Sequence, residues 1–261
     1  MLTGSYVLPS ATITGSISTD LVLIDKVIGL KIAMREVVSQ SPTKEQLKQV
    51  MVEVMRAGRW AAKAGVVVAH QGDVPGSLDW VCDMMEEQLI PKRHFVATHI
   101  NRGPKVLEDA IVCAKRGMIL DLTGNVPNSG SIAASSALRI MLDAGVPLEN
   151  ITFSSDSGAY NNERGCDVIL PVDVCIKELQ LMVNNEGICM TDALATVTTN
   201  PARLYCLDGK GSLEPGMDAD VLLLDETLNI NTVIARGRIL VKKGNPLIRG
   251  RLEALYDAML N

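Results

Sequence analysis

Short apolar runs alternate with amphipathic stretches along most of the chain. Val66-Val67-Val68-Ala69-His70, Phe95-Val96-Ala97-Thr98-His99 and Met118-Ile119-Leu120-Asp121-Leu122 have the length and β-branched content of strands buried on both faces. Ile151–Asp156 has the same character, and Leu21–Lys31 reads as a further strand ending in lysine. Between these runs, apolar positions spaced three and four apart predict helices from Thr43 to about Ala64, then over 76–89, 103–116 and 131–144. Leu78, Val81, Cys82, Met85 and Leu89 fall on one face of the second. Thr43 followed by Gln46 fits a capping box, and Gly145 fits a helix C-terminus. Two more helices are predicted at about 173–186 and 191–205. Residues 1–20, rich in Gly, Ser, Thr and Pro, read as loop with at most a short strand.

Strand and helix in alternation, joined by short connections, imply a parallel sheet with helical crossovers. Five such strand runs are visible, whereas a closed (β/α)8 barrel needs eight. The expected fold is therefore α/β: an open sheet, or part of a TIM barrel. From about residue 208 the pattern changes to short strands at 221–224, 233–236 and 239–241, with a hairpin turn at Arg236-Gly237-Arg238. The expected domains are 1–207 for the barrel-like part and 208–261 for a small β module with a tail helix at 253–261.

Composition narrows the function. A net charge of −5 with no basic cluster argues against a nucleic-acid partner, and an aromatic content of 3% argues against base-stacking platforms. Six cysteines without a CxxC pair suit a reducing, cytoplasmic setting. No apolar run has the length of a membrane span, so no membrane role is expected.

The chemistry gathers where strand runs end. Lys31, His70, His99 and Asp156 each close one, and the C-terminal rim of a βα sheet is where side chains converge for catalysis. Imidazole and carboxylate suit zinc. Lysine joins such a site only as a carbamate formed with CO2, which requires a neutral amine. Each residue alone has an ordinary reading: a solvated lysine, a structural histidine, a capping aspartate. The four in this order favour a metal site. His94 precedes His99 by five residues, roughly 16 Å along a strand, and reads as surface or structural.

The segments VIGLK at 27–31, VVVAHQGD at 66–73, ATHINR at 97–102 and FSSD at 153–156 resemble the isoaspartyl dipeptidase (β-aspartyl peptidase) family of the amidohydrolase superfamily. The resemblance extends to Ser5–Ser10, Thr12–Ser16, Thr199–Arg203 and Gly211–Asp220. It implies a (β/α)8 barrel, of which this chain would hold about strands 3 to 8, and part of a small β-sandwich. It implies hydrolysis of small β-aspartyl dipeptides with two Zn2+ ions, and a homo-oligomer is compatible with it. By the same resemblance Lys31 is the carboxylated bridging ligand, and His70 and His99 hold the second metal. Asp156 binds the first metal and serves as general acid and base. Tyr6 stabilises the oxyanion, and Arg102 binds a substrate carboxylate.

Three departures bear on this. No His-x-His, the family's other ligand pair for the first metal, occurs in the sequence, which reads as starting near the end of the third barrel strand. The family's second carboxylate-binding arginine falls at Val38 by spacing, with Arg35 close by. The turn Asp156-Ser157-Gly158-Ala159-Tyr160 displaces a substrate-contacting serine. Impaired hydrolysis is therefore expected. An inactive remnant, or another amidohydrolase acting on cyclic amides, are the alternatives.

Overall fold

Parallel strands lie side by side in sequence order in the computed structural model, forming a six-stranded sheet. Described residues are 1–36, 39, 41–72, 78–124, 130–158, 160–161, 168–169 and 173–248. Val38, Ala159, Cys166 and the expected tail helix lie outside them. The strands are β1 (Leu2–Thr3), β2 (Gly29–Met34), β3 (Val66–Gln71), β4 (Phe95–Thr98), β5 (Ile119–Thr123) and β6 (Ile151–Ser154). Every neighbouring pair is parallel. Crossover helices are α1 (Ile17–Leu23), α2 (Lys44–Ala61), α3 (Asp79–Glu87), α4 (Pro104–Lys115) and α5 (Ala134–Asp143). This is the α/β architecture of part of a TIM barrel.

Burial explains why these runs are strands. Every residue of β3, β4 and β5 is buried, as expected for a sheet covered on both faces. Phe95, Leu30 and Ile32 in it are among the largest fully buried side chains. On the helical side, Leu47, Met51 and Val54 turn inward from α2, and Val81, Cys82 and Met85 from α3. Thr43 caps α2 as read: its hydroxyl accepts from the Gln46 amide, and the Gln46 side chain accepts from the Thr43 amide.

Three expectations need correction. Leu21–Lys31 is not one strand. Its first residues finish α1, which starts where Ser16 accepts a hydrogen bond from the Thr19 amide. Only Gly29 onward is extended, so Lys31 sits third in β2 rather than at a strand end. The region 191–205 holds two short helices, α7 (Met190–Ala195) and α8 (Thr199–Leu204), which follow α6 (Val174–Asn184). Leu89 lies beyond the end of α3 at positive φ and is exposed instead of joining the buried face.

After β6 come the short antiparallel strands β7 (Tyr160–Asn161) and β8 (Val168–Ile169). The chain divides into two compact units, Met1–Leu207 and Asp208–Asn261. Described by itself, the second holds β9 (Val221–Leu224), β10 (Ile230–Ala235), β11 (Arg238–Lys242) and β12 (Asn245–Pro246) in one antiparallel sheet, ordered β12-β11-β10-β9. Arg236 and Gly237 both take positive φ, as a two-residue type I′ hairpin turn requires. No described helix is long and apolar enough to cross a membrane.

Candidate active site

Register puts the polar residues of the sheet on one face. Ala33 pairs with His70, His70 with Thr98, Thr98 with Asp121, and Asp121 with Thr152. Residues opposite one another in neighbouring strands point the same way, and so do residues two apart within a strand. Lys31, two before Ala33, therefore shares the face of His70. It is the one residue of β2 that is not fully buried.

His99 follows Thr98 directly, and continued extension would turn its ring to the opposite face. Its backbone instead takes φ 65°. That left-handed turn brings the His99 ring edge-on to His70, centroids 4.5 Å apart. Asp156, two residues past β6, takes φ 53°. Left-handed backbone is strained for residues with a Cβ and gathers at functional sites. Asn101 secures the turn after β4: its side chain donates to the Thr123 and Ile132 carbonyls and accepts from the Thr123 amide.

Tyr6 enters from the loop after β1, its ring 5.3 Å from that of His70. The loop is tied down by buried Asp20 of α1, which accepts from the Thr3 hydroxyl, the Ile13 and Thr14 amides and the Thr14 hydroxyl. Burial alone would raise the Asp20 pKa, but these donors outweigh it and hold it at about 2.

The sequence reading missed Glu36. Its Oε2 lies 2.9 Å from His70 Nε2 and 3.5 Å from an Arg102 guanidinium nitrogen, with Arg102 mostly buried. Gly72, two residues past His70, lets the Glu36 backbone come close. A Cβ there would meet the Arg35 carbonyl at 2.4 Å and Glu36 Cα at 2.6 Å. Arg35 points elsewhere in charge terms: burial lowers its pKa, and Asp109 of α4 is the carboxylate that opposes this. Asp121 was missed as well. It is buried and accepts from Thr98, Ser154 and Thr152 hydroxyls at 2.6–2.7 Å. An aspartate inside an apolar strand was the available signal, since unpaired acids are almost never buried. Glu36 carried none, because it lies in a loop beside a more conspicuous arginine.

Electrostatics couples the named residues. Burial lowers the Lys31 pKa, with Asp121 and Asp156 opposing and Arg102 assisting. Burial, then Lys31, His70 and Arg102, push His99 down to about 2. His70 is lowered by burial and by Arg102. Burial and the Asp156 charge raise the Tyr6 phenol, which stays protonated. The rim thus presents neutral imidazoles, a lysine amine biased towards its neutral form and a phenol donor. Structure and charge bring Lys31, His70, His99, Tyr6, Arg102 and Asp156 into one neighbourhood. His94 stays out: it is buried, with Nδ1 2.8 Å from the Gly65 carbonyl.

The ring nitrogens bear on metal binding. Among the described residues, buried His70 Nδ1 has no hydrogen-bond partner. An orphaned buried acceptor is costly, and a ligand would satisfy it. The Thr123 hydroxyl lies 2.7 Å from His99 Nδ1, leaving Nε2 as that ring's remaining donor atom. Among the described residues no three His, Cys, Asp or Glu side chains cluster so as to hold an ion. A carbamate on Lys31 would add an oxygen ligand to the two imidazoles.

Comparison with known proteins bears on family and fold. The amidohydrolase family pattern matches residues 43–240. A β-aspartyl dipeptidase from Fervidobacterium islandicum AW-1, solved in complex with β-Asp-Leu dipeptide, superposes with a TM-score of 0.87 at 33% identity, covering 96% of this chain and 67% of that one. N-acetylglucosamine-6-phosphate deacetylase from Thermotoga maritima superposes at 0.57 with 13% identity, over 84% of this chain and 60% of that one, which speaks to fold alone. Among curated proteins, N-acetylglucosamine-6-phosphate deacetylase of Rattus norvegicus is 36% identical over 72 residues, 27% of this chain and 17% of that protein. Adenine deaminase of Geobacillus kaustophilus is 44% identical over 64 residues, 24% of this chain and 11% of that protein. The chain thus spans about two thirds of the dipeptidase, and its matched stretches cover a fifth or less of these two curated relatives.

Proposed function

The chain belongs to the amidohydrolase family, and from that premise we propose that it is a metal-dependent hydrolase whose site is built for β-aspartyl dipeptides. The observation that carries the reading is the meeting of His70, with its orphaned Nδ1, and His99 beside Tyr6, on the sheet face that also carries Lys31. The dipeptidase likeness supports the substrate class.

Lys31, once carboxylated by CO2, would join His70 and His99 as three ligands for one Zn2+, the number usual at a catalytic zinc. Asp156 and the Lys31 carbamate would offer two to a second. Metal held there would supply Lewis-acid polarisation of a scissile carbonyl and a lowered pKa for water. Arg102 receives a substrate carboxylate, which its planar guanidinium fits in two parallel hydrogen bonds. Asp156 takes the proton of the attacking water and returns it to the leaving amine. Tyr6, a phenol kept protonated by burial, donates to the carbonyl oxygen as charge develops there.

With two ligands at the first metal, these 261 residues alone are expected to turn over slowly. The test is β-Asp-Leu hydrolysis together with zinc content. Zinc bound by the chain and lost in Lys31→Ala and His70→Ala supports the reading. A chain that takes up zinc equally well without Lys31 and His70 contradicts it, and fast turnover by the chain alone contradicts the ligand count.

A further inference from the structure

We infer that Glu36 is a positioning residue that fixes the tautomer of His70 and ties that ring to Arg102. The inference rests on the metal reading above but adds a residue that reading does not use. An ionised carboxylate only accepts hydrogen bonds. With Glu36 Oε2 2.9 Å from His70 Nε2, that nitrogen carries the proton. In a neutral imidazole the other nitrogen, Nδ1, then holds the lone pair, and Nδ1 is the buried atom without a partner among the described residues. Glu36 thus holds the ring in the form whose one lone-pair nitrogen, Nδ1, is left to bind a ligand. A carboxylate behind a ligating histidine typically strengthens metal binding 10–100-fold.

The same oxygen lies 3.5 Å from the Arg102 guanidinium. One side chain therefore sets two others, the metal-side imidazole and the cation that meets substrate. The seat of Glu36 is built in, because Gly72 leaves its backbone room. Glu36 is 19% exposed, so replacing it leaves the core intact.

The test compares the unsubstituted chain with Glu36→Ala and Glu36→Gln. Nitrogen-15 shifts of His70 in zinc-free protein read the tautomer, and chelator competition reads zinc affinity. The Nε2–H tautomer is expected in the unsubstituted chain and in Glu36→Gln, whose amide oxygen still accepts. Glu36→Ala is expected to give a tautomer mixture and about 10–100-fold weaker zinc binding. An unchanged tautomer in Glu36→Ala overturns the inference, as does Glu36→Gln behaving like Glu36→Ala. If the unsubstituted chain binds no zinc, the metal reading falls, while the zinc-free tautomer measurement still decides the role of Glu36.

Discussion

At His99 a single left-handed residue decides whether the site exists, because ordinary extension would carry the imidazole to the far side of the sheet. Such a conformation costs on the order of 1–3 kcal/mol and persists where surroundings enforce it. Here Asn101 and Thr123 do so. Asp20 plays the corresponding part for Tyr6. Its folded pKa of about 2 lies below the ordinary value of about 3.9. A depressed acid gives stability that is complete above the unfolded pKa and lost as pH falls through the folded one. The urea midpoint should therefore drop between about pH 4 and pH 2, and Asp20→Asn should flatten that drop while lowering the midpoint at neutral pH. An equal slope in both proteins would contradict the assignment. Tyr6→Phe removes a donor worth about 10²–10³ in kcat at comparable sites. It should lower turnover by that order in any active preparation, with zinc content unchanged. The histidines were legible in the sequence because they close apolar runs. Glu36 was not, since only three-dimensional contact sets it apart from any loop glutamate.

Among the elements, α2 was read with its cap and α4 to α6 close to their bounds, whereas α1 and the break between α7 and α8 were not read. Thr43 and Gln46 form the capping box their spacing implied. Thr43→Ala should lower stability by about 1 kcal/mol in urea unfolding, the usual effect of losing such a cap. The error at Leu21–Lys31 has a physical cause. Its apolar residues serve two elements in succession, the end of α1 and the start of β2, and a composition window joins them. Where α2 packs on the entry to β3, two glycines touch: a Cβ on Gly58 would lie 2.5 Å from Gly65 Cα. Alanine at a mid-helix position gains about 1 kcal/mol over glycine in propensity. Here overpacking, typically 1–3 kcal/mol, should exceed that gain. Gly58→Ala is predicted to lower the urea midpoint, and a raised midpoint would show the helix can shift outward without penalty.

Across the whole molecule, six parallel strands in order position the candidate ligands on them or just past their ends, and the fold class followed from strand–helix alternation alone. β1 was allowed for only as a short strand within a loop, because only Leu2 and Thr3 pair with β2. At this scale the prediction concerns stoichiometry. Three ligands at one metal position against two at the other should give one tightly held zinc per chain, counted by titration against a chelator. Two equally tight ions would mean that a ligand beyond Lys31, His70, His99 and Asp156 takes part.

Gly72 shows how little material separates a working rim from a spoiled one. A methyl group at that position would act as a wedge, prising the Arg35–Glu36 segment off its neighbouring strand. The disturbance would reach an imidazole on one side and a guanidinium on the other, although neither had been altered. The geometry of the candidate site is thus written partly in a hydrogen atom, at a place where a survey of reactive side chains would find nothing to inspect.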